Sequence, residues 1–470
     1  MEYFSSFFSK DLIDLIIYHK HQYSVQQSGS SINTNYKTKD FLAIHLYVGI
    51  IKLPRYVDYW SEQFRVEKVA GIVSLKKYQA LRKYLHFNDN AMANDYLYYK
   101  IQPILDIVKK NCNAIPNEKQ QLIYEMMVPF KGSRAGSRKL YIKSKHKIGG
   151  FKFFFRARAF GIVYDFVVYG GSDTFRHHQF SNKEENMGLG SKVVLGLCQT
   201  ISNPAVTIVY IDNFFTSREL MRHLRQEYGI LALGTIRGNR LRGCMVPTDK
   251  TVSLGTSLQK VDNEKNVVVL KQVDNKEVLL ASNFVGIEPI TSVKGFSKME
   301  RKKGDVPCPN IVKKYNVHMG GVDVADMLIA LYRTHFKAKK LYLTIFGHLL
   351  NLCVIHAWLL NRREAALMKE KYNDGLKTIQ VNVAEMLLQK DRLALAGAPT
   401  SVNEKLVKRP SAPRPVMEVR LDKYDLSPIC AEKAQCRHYK DRQSRIKCMK
   451  CNMTLCLISV RNCFYESHHQ

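Results

Sequence analysis

The sequence predicts an α/β protein: a mixed-sheet core with a β-rich insertion, an all-α domain that flanks it, and a cysteine-rich module. Three observations support this prediction. Apolar residues recur at helical spacing up to about residue 115, and from Gln121 the spacing becomes that of strands. Six of the eleven cysteines crowd between Cys430 and Cys463. With 470 residues, 46% of them hydrophobic, the chain can bury two or three cores.

The chain is strongly basic, with 72 Lys and Arg residues against 41 Asp and Glu residues and a formal net charge of +31. This excess predicts a polyanionic partner, nucleic acid before a membrane, because no segment combines the charge with an amphipathic membrane helix. Residues 1–20 lack the pattern of a secretory signal. The longest apolar run, Leu343–Leu360, is interrupted by His348, Asn351 and His356, which predicts a buried helix and not a membrane span.

Residues 1–115 are predicted to form the first part of a helical domain. Its predicted helices are Phe4–Ile17, Phe41–Ile51, Tyr78–Leu85 and Leu97–Val108. Cations alternate with aromatic residues in this domain, and the mixture suits contact with phosphates and bases as well as it suits a buried core. The residues concerned are Arg55, Tyr56, Tyr59, Trp60, Arg82, Lys83 and Tyr84.

Residues 116–335 are predicted to form the sheet domain, with the insertion at about 241–309. The order of elements is three strands, helix, strand, helix, strand, which is the order of a ribonuclease-H-like sheet. A tight connection at Gly161 joins the second and third strands. The predicted elements are Leu122–Val128, Phe151–Phe160, Ile162–Tyr169, Gly188–Ile201, Val206–Ile211, Ser217–Tyr228 and Ile230–Thr235.

The fourth of these strands ends at Asp212, and Thr216 or Ser217 is expected to cap the helix that follows. Open α/β sheets build their sites at the carboxyl ends of strands, so Asp212 is a candidate site residue. The alternative is that Asp212 and Asn213 only form the turn between strand and helix.

A basic loop lies between the first two strands, from Lys131 to Lys147. Beside a sheet edge it would follow a phosphate backbone, although such a charge run also suits a solvated surface. Its candidate DNA-binding residues are Lys131, Arg134, Arg138, Lys139, Lys143 and Lys145.

After the fifth strand of the core, two strands at Lys265–Gln272 and Glu277–Val285 mark the insertion, with a turn at Asp274–Asn275. Residues 336–398 are predicted to be the second part of the helical domain. Residues 399–429 contain five prolines and a basic run, and are predicted to be a linker. Within it, Lys408-Arg409-Pro410 is compatible with import into the nucleus.

Residues 430–470 are predicted to bind zinc. A central Cys-x-x-Cys with Cys and His at short spacings on both sides is typical of a small module with two tetrahedral sites in a cross-brace. About 40 residues cannot fold on an apolar core alone, so bound metal would supply the stability. The candidate ligands are Cys436, His438, Cys448, Cys451, Cys456, Cys463 and His468.

Five ordered motifs give the chain a resemblance to piggyBac-type transposases. The resemblance extends over nearly the whole chain, from Lys52-Leu-Pro54 to the cysteine-rich end. The motifs are Val128-Pro-Phe-Lys-Gly132, Val163-Tyr-Asp-Phe166, Tyr210-Ile-Asp-Asn-Phe-Phe-Thr-Ser217, Gly234-Thr-Ile-Arg237 with Asn239 and Arg240, and Tyr315-Asn-Val-His-Met-Gly-Gly-Val-Asp323 with Asp326.

The resemblance implies a DNA-cutting and DNA-joining site in which three acids hold two Mg²⁺ ions. The second and third acids would be Asp212 and Asp323, with Asp326 as an accessory acid. The first acid position is occupied by Tyr124, a neutral phenol that is a poor Mg²⁺ ligand. Glu125 could substitute only through a register slip or a bulge, because adjacent strand residues point to opposite faces.

The resemblance further implies DNA contacts by Arg237 and Arg240, and a homodimer built on the helical domain. It also implies a missing zinc ligand: Tyr439 stands where the family commonly has a cysteine, so either His438 or Cys430 replaces it or one site is weakened.

We therefore expect a nuclear protein that binds double-stranded DNA, with cleavage and strand transfer impaired or lost, and with no membrane or small-molecule partner. One alternative is an active cut-and-paste transposase rescued by Glu125. Another is a protein-interaction scaffold, against which the basic charge argues.

Overall fold

The computed structural model divides the chain into two compact units. The first comprises Tyr3–Leu359 and Gly375–Leu395, and the second comprises Leu360–Asp374 and Ala396–Gln470 together with Glu2. The structure describes residues 2–28, 37–130, 140–141, 149–241, 256–262, 266–273, 277–297, 302–319, 322–334, 336, 340–395, 428–439, 442–458 and 460–469.

The regular structure of the described residues up to Asn113 is all helical, as predicted, although the first predicted helix is divided in two near Ser9. The helices are α1 Glu2–Phe7, α2 Lys10–Ser28, α3 Lys37–Ile50, α4 Glu67–Ala70, α5 Leu75–Tyr84 and α6 Gln102–Asn113.

Aromatic residues of this helical region belong to the core. Tyr59 is 1% exposed, and its hydroxyl donates to the carbonyl of Ile51. The indole N–H of Trp60 donates to the carbonyl of Val73 at 2.7 Å. The alternation of cations and aromatic residues around Trp60 is therefore partly a packing pattern.

The centre of the first unit is a large mixed sheet, which confirms the predicted α/β class. Its order is β4-β3-β1-β5-β6-β9-β8-β7, with the short β2 also paired to β3. Strand β1 runs antiparallel to β3 and parallel to β5, and β5 runs parallel to β6. The strands are β1 Gln120–Pro129, β2 Leu140–Tyr141, β3 Gly149–Ala157, β4 Val163–Val168, β5 Ile208–Ile211, β6 Leu231–Thr235, β7 Ser257–Asp262, β8 Val267–Val273 and β9 Glu277–Ser282.

The insertion is β-rich, as predicted, but its strands extend the main sheet. Strand β9 pairs antiparallel with β6, and β8 and β7 follow outward. Asn283 then ties this edge to the core, since its amide bonds the backbone of Met221, Ile230 and Ala232. The predicted turn at Asp274–Asn275 lies outside the described residues. Strands β10 Thr291–Ser297 and β11 Lys302–Cys308 form a separate pair.

Helices cover both faces of the sheet. Ile123, Val209 and Ile211 pack in one apolar cluster with residues of α8 (Leu189–Cys198) and α9 (Arg218–Gln226). The opposite face contacts α10 (Asn310–Met319) and α11 (Val322–Leu331). Alternate residues of one strand therefore face two different layers.

Two long helices follow in the chain. Helix α12 (Leu341–Leu367) is long and apolar enough to cross a membrane by length and composition, but 89% of its most apolar window is buried inside the protein. This burial agrees with the prediction that Leu343–Leu360 forms a buried helix. Helix α13 (Leu376–Leu395) packs against α3. A four-residue helix, α7 (Asn182–Glu185), precedes α8.

The described end of the second unit is small and rich in sulfur. It contains β12 (Pro428–Gln435), β13 (Gln443–Cys448) and a last helix, Cys463–His469. Five of its cysteines are buried together with Met453, Leu455 and Phe464. The predicted linker and its basic Lys408-Arg409-Pro410 lie almost wholly outside the described residues.

Candidate functional site

Asp212 lies at the carboxyl end of β5, which is buried along its whole length. The carbonyl of Asp212 accepts bonds from the backbone N–H groups of Phe215 and Thr216, which forms the turn into α9. The hydroxyl of Ser217 accepts from the N–H of Leu220 at 3.1 Å and caps that helix. Asp212 is thus both a turn residue and a carboxylate at a strand end.

Three neighbouring strands bring Tyr124, Asp212 and Thr235 side by side, at the level where β5 and β6 end. Ile123 of β1 is in register with Ile211 of β5, and Ile211 is in register with Gly234 of β6. Tyr124, Asp212 and Thr235 each follow one of these paired residues directly. The three therefore lie in one row across the sheet, at the carboxyl ends of β5 and β6, and this row is called the sheet edge below.

A backbone N–H group and a hydroxyl group donate hydrogen bonds to the carboxylate of Asp212. Its Oδ1 accepts from the N–H of Asn213 at 2.6 Å and from the hydroxyl of Thr235 at 3.1 Å. Because Thr235 gives its one proton to Asp212, the Tyr315 hydroxyl, 3.3 Å away, donates to Thr235. Burial, and then the charge of Asp212, raise the pKa of Tyr315 to about 12, so its proton stays in place at neutral pH.

Sequence reasoning placed Thr235 and Tyr315 in motifs but gave neither a role. The signal was available for Thr235, since a residue at the end of the next parallel strand must lie beside Asp212. No sequence rule places Tyr315 there, because α10 follows the insertion.

Tyr124, at the first acid position, is buried and uncharged. It is 3% exposed, and its hydroxyl has no hydrogen-bond partner in the described part of the chain. Burial raises the pKa of the phenol, and the charge of Asp326 raises it further. Tyr124 therefore offers no anionic oxygen at neutral pH.

Glu125 lies on the other face of the sheet from Tyr124, and the register slip or bulge that its rescue of the site would require is not observed. Strand β1 has no bulge at this point, since its register with β3 is continuous through Tyr124, Glu125 and Met126. Glu125 forms an ion pair with Lys152, whose ammonium lies 4.2 Å from the ring centre of Phe214. This is the opposite face of the sheet from Tyr124.

The remaining acids belong to α11, which lies against β1. Asp326 is half-exposed and forms an ion pair with Arg333 at 3.7 Å. Asp323 falls in the first turn of α11, and its side chain lies outside what is described. Among the described side chains, these acids form no cluster of three that could hold a metal ion.

The described residues therefore do not fit two Mg²⁺ ions. Such a pair needs several anionic oxygens, whereas the row at the sheet edge offers a phenol, one carboxylate that already accepts two hydrogen bonds, and a hydroxyl.

Arg237 and Arg240, predicted to contact DNA, lie next to the turn that follows Asp212. The Nη1 of Arg240 donates to the carbonyls of Asn213, Phe214 and Thr216 at 2.9–3.0 Å. Arg237 is exposed and donates to the side chain of Asn213 at 3.1 Å. Arg240 shapes the turn, and DNA contact by either residue stays a prediction. The six basic residues of the loop 131–147 lie outside the described residues.

The cysteine-rich end forms two groups of potential metal ligands. In each group the ligand atoms lie within 4.8 Å of one another, and all six residues are buried. One group is Cys436, Cys456 and Cys463, and the other is Cys448, Cys451 and His468.

The two groups alternate along the chain, as in the predicted cross-brace. His468 is oriented through its Nδ1, which donates to the carbonyl of Phe464 at 2.6 Å and leaves Nε2 3.2 Å from the sulfur of Cys451. A His fixed in this way is typical of a metal ligand, so the six residues fit a thiolate-binding metal such as zinc.

His438 and Cys430, the predicted substitutes for a fourth ligand, lie elsewhere. His438 pairs with Glu466 at 3.2 Å, and Cys430 is exposed on β12. Each group thus has three ligands among the described residues.

Comparison with known proteins defines the class to which the chain belongs. A family model described as Transposase IS4 matches residues 1–358, which is well over half of the chain.

Human relatives narrow the class. The chain is 29% identical over 367 residues to PiggyBac transposable element-derived protein 3 of Homo sapiens, covering 76% of this chain and 60% of that protein. It is 28% identical over 371 residues to PiggyBac transposable element-derived protein 2 of Homo sapiens, covering 76% and 61%. The chain thus spans about 60% of the length of these curated relatives.

The fold is similar to that of a piggyBac transposase in a synaptic complex with hairpin DNA, solved by cryo-electron microscopy. The TM-score is 0.69 at 18% identity, over 97% of this chain and 94% of that chain. The chain belongs to the piggyBac transposase family.

Proposed function

We propose that this protein is a DNA-binding protein derived from a piggyBac transposase, and that it no longer cuts or joins DNA. The observation that carries the proposal is Tyr124, a buried and neutral residue at the strand position beside Asp212. The sheet is of the ribonuclease-H type in this proposal, because β4-β3-β1-β5-β6 has the strand order expected of that fold.

Loss of cleavage follows from the charge at the sheet edge. Two Mg²⁺ ions carry four positive charges, and the ions are held when carboxylates surround them. Here one ligand is neutral, Asp326 is engaged with Arg333, and Glu125 pairs with Lys152 on the other face. With Asp212 and Asp323 alone, the site lacks the third acid.

The net charge of the chain and its similarity to a DNA-bound protein support DNA binding. A net charge of +31 favours a polyanion, and the similar solved structure is a complex with hairpin DNA. Exposed Arg237 lies beside the acid site, where a DNA backbone would have to pass. We further propose that the protein acts in the nucleus as a homodimer, for which the basic linker and the family relationship are the support.

Zinc is the metal proposed for the two cysteine groups. Buried thiols and one oriented imidazole suit its preference for sulfur and nitrogen. The ions would hold together a segment whose apolar core contains only a few residues.

The test uses the zinc-loaded full chain with a supercoiled plasmid and a linear duplex. We expect duplex binding that weakens steeply as salt rises, and no Mg²⁺- or Mn²⁺-dependent nicking or end joining. Asp212→Ala is the control for cleavage. Metal-dependent nicking that disappears in Asp212→Ala would show a working active site and overturn the loss of catalysis. Binding that is indifferent to salt would overturn the DNA-binding part.

A further inference from the structure

The cysteine-rich end of the chain has a surface groove of about 510 Å³. One wall is β13, and the other is formed by Cys456, Leu457, Ile458, Val460 and Arg461. Two hydrogen bonds join the walls at the floor: the N–H of Leu455 donates to the carbonyl of Ile446 at 2.9 Å, and the hydroxyl of Ser444 donates to the carbonyl of Leu455 at 2.8 Å.

The second wall exposes large apolar side chains. Leu457 is 39% exposed, Ile458 is 61% exposed and Val460 is 90% exposed. They are held outward by a tight loop, in which Ile458 and Arg461 exchange two backbone hydrogen bonds of 2.9–3.0 Å. Three neighbouring exposed apolar residues on so small a fold mark a binding surface more often than plain surface.

Cations border the same groove. Arg442, Arg445 and Arg461 line it, and none of the described residues that line it is acidic. Within the described part of the chain, neither Arg445 nor Arg461 forms an ion pair with a carboxylate. Arg461 is instead stacked 4.6 Å from the ring centre of Tyr439, which fixes the direction of its guanidinium.

We propose that this groove docks an extended peptide segment of another protein that carries both apolar and acidic side chains. The apolar wall would take the apolar side chains, and the arginines would pair with the carboxylates. A strand rises about 3.3 Å per residue, so about six extended residues match the length of β13.

Charge complementarity and the apolar wall together favour a peptide over nucleic acid. A phosphate backbone would satisfy the arginines, but it would leave Leu457, Ile458 and Val460 against charged oxygens or water. A segment of this chain is a poorer occupant, because residues 396–427, which lead into the module, have more basic than acidic residues.

The proposal is independent of DNA binding by the rest of the chain, and its test separates the two. The probe is a fluorescein-labelled peptide that alternates Glu with Leu and Ile, titrated with the zinc-loaded full chain and followed by fluorescence anisotropy. We expect Arg445→Glu to weaken peptide binding at least tenfold, and Ile458→Asp to do the same. Lys433→Glu is the matched control, because Lys433 is exposed on β12 outside the groove and the change alters net charge equally.

Three outcomes decide the matter. A loss in Arg445→Glu and Ile458→Asp with less than a twofold change in Lys433→Glu supports the groove. Equal losses in Arg445→Glu and Lys433→Glu would mean simple charge attraction and would overturn the proposal. Loss of duplex binding in Ile458→Asp, together with full displacement of the peptide by a duplex, would make the groove a nucleic-acid site and would also overturn it. Zinc content and circular dichroism of each variant show that the module is folded.

Discussion

Arg240 is predicted to stabilise the turn that carries Asp212, and Arg240→Met tests this role. Methionine keeps much of the length and apolar stem of arginine but has no donor. The substitution therefore leaves the carbonyls of Asn213, Phe214 and Thr216 without their shared partner. Nothing else at the sheet edge is removed.

The expected magnitude follows from the number of bonds. Nη1 has two protons and three acceptors at 2.9–3.0 Å, so it forms two full bonds or their shared equivalent. A hydrogen bond from a charged donor contributes about 1.5 kcal/mol or more, and the side chain is partly open to water, so the total is about 2–3 kcal/mol. Since about 1.4 kcal/mol is a factor of ten, local opening should become roughly 30- to 140-fold more frequent.

Amide hydrogen exchange measures that opening directly. The N–H groups of Phe215 and Thr216 bond the carbonyl of Asp212, so their protection reports on the turn. Arg237→Met is the control: it removes the same charge, but Arg237 is exposed and bonds only a side chain. In Arg237→Met we expect the free energy of local opening to change by less than about 0.5 kcal/mol. Equal exchange at Phe215 and Thr216 in the two variants would show that the three carbonyls do not depend on Arg240.

Three other predictions follow from buried groups. Tyr124→Phe should leave the thermal unfolding temperature unchanged or raise it, because the hydroxyl is buried without a partner; a clear fall would contradict this. Glu184 accepts bonds from Ser181, His223 and Tyr228; although burial acts to raise its pKa, these bonds outweigh it and lower the pKa to about 2. The ionised carboxylate of Glu184 therefore stabilises the folded state above the ordinary pKa of about 4.5, and this stabilisation is lost as pH falls toward 2. The thermal unfolding temperatures of Glu184→Gln and the parent should differ at pH 7 and converge in acid. Removing metal with a chelator should unfold residues 428–469 and leave the sheet unit intact, seen as loss of one calorimetric transition only; loss of both, or of neither, would contradict it.

The sheet was predictable because its signals are local. β-branched and aromatic runs predict β1, β3, β4, β5 and β6 within a few residues, and Ser217 was one of two predicted caps for α9. The residue beside Asp212 was predictable as well. Tyr124 occupies the motif position of the first acid, and the parallel pairing of β1 with β5 places that position beside Asp212.

Long-range contacts were not predictable. The Glu125 alternative depends on a register slip or a bulge, and only the structure shows that β1 pairs with β3 in continuous register at this point. No sequence signal predicts that Arg240 donates hydrogen bonds to three carbonyls, because an arginine in a motif of a basic protein is equally compatible with binding DNA. The separation of six ligands into two groups depends on how β13 and the last helix meet, which spacing alone does not fix.

The pairing of β9 with β6 has a consequence for the solubility of the protein. Without the insertion, β6 would be the edge strand of the sheet and would present its unpaired backbone groups to other chains. The outermost strand is instead β7, where Lys260 and Asp262 oppose pairing with a neighbour. A shortened chain that joins Leu241 to Pro309 would therefore aggregate through β6.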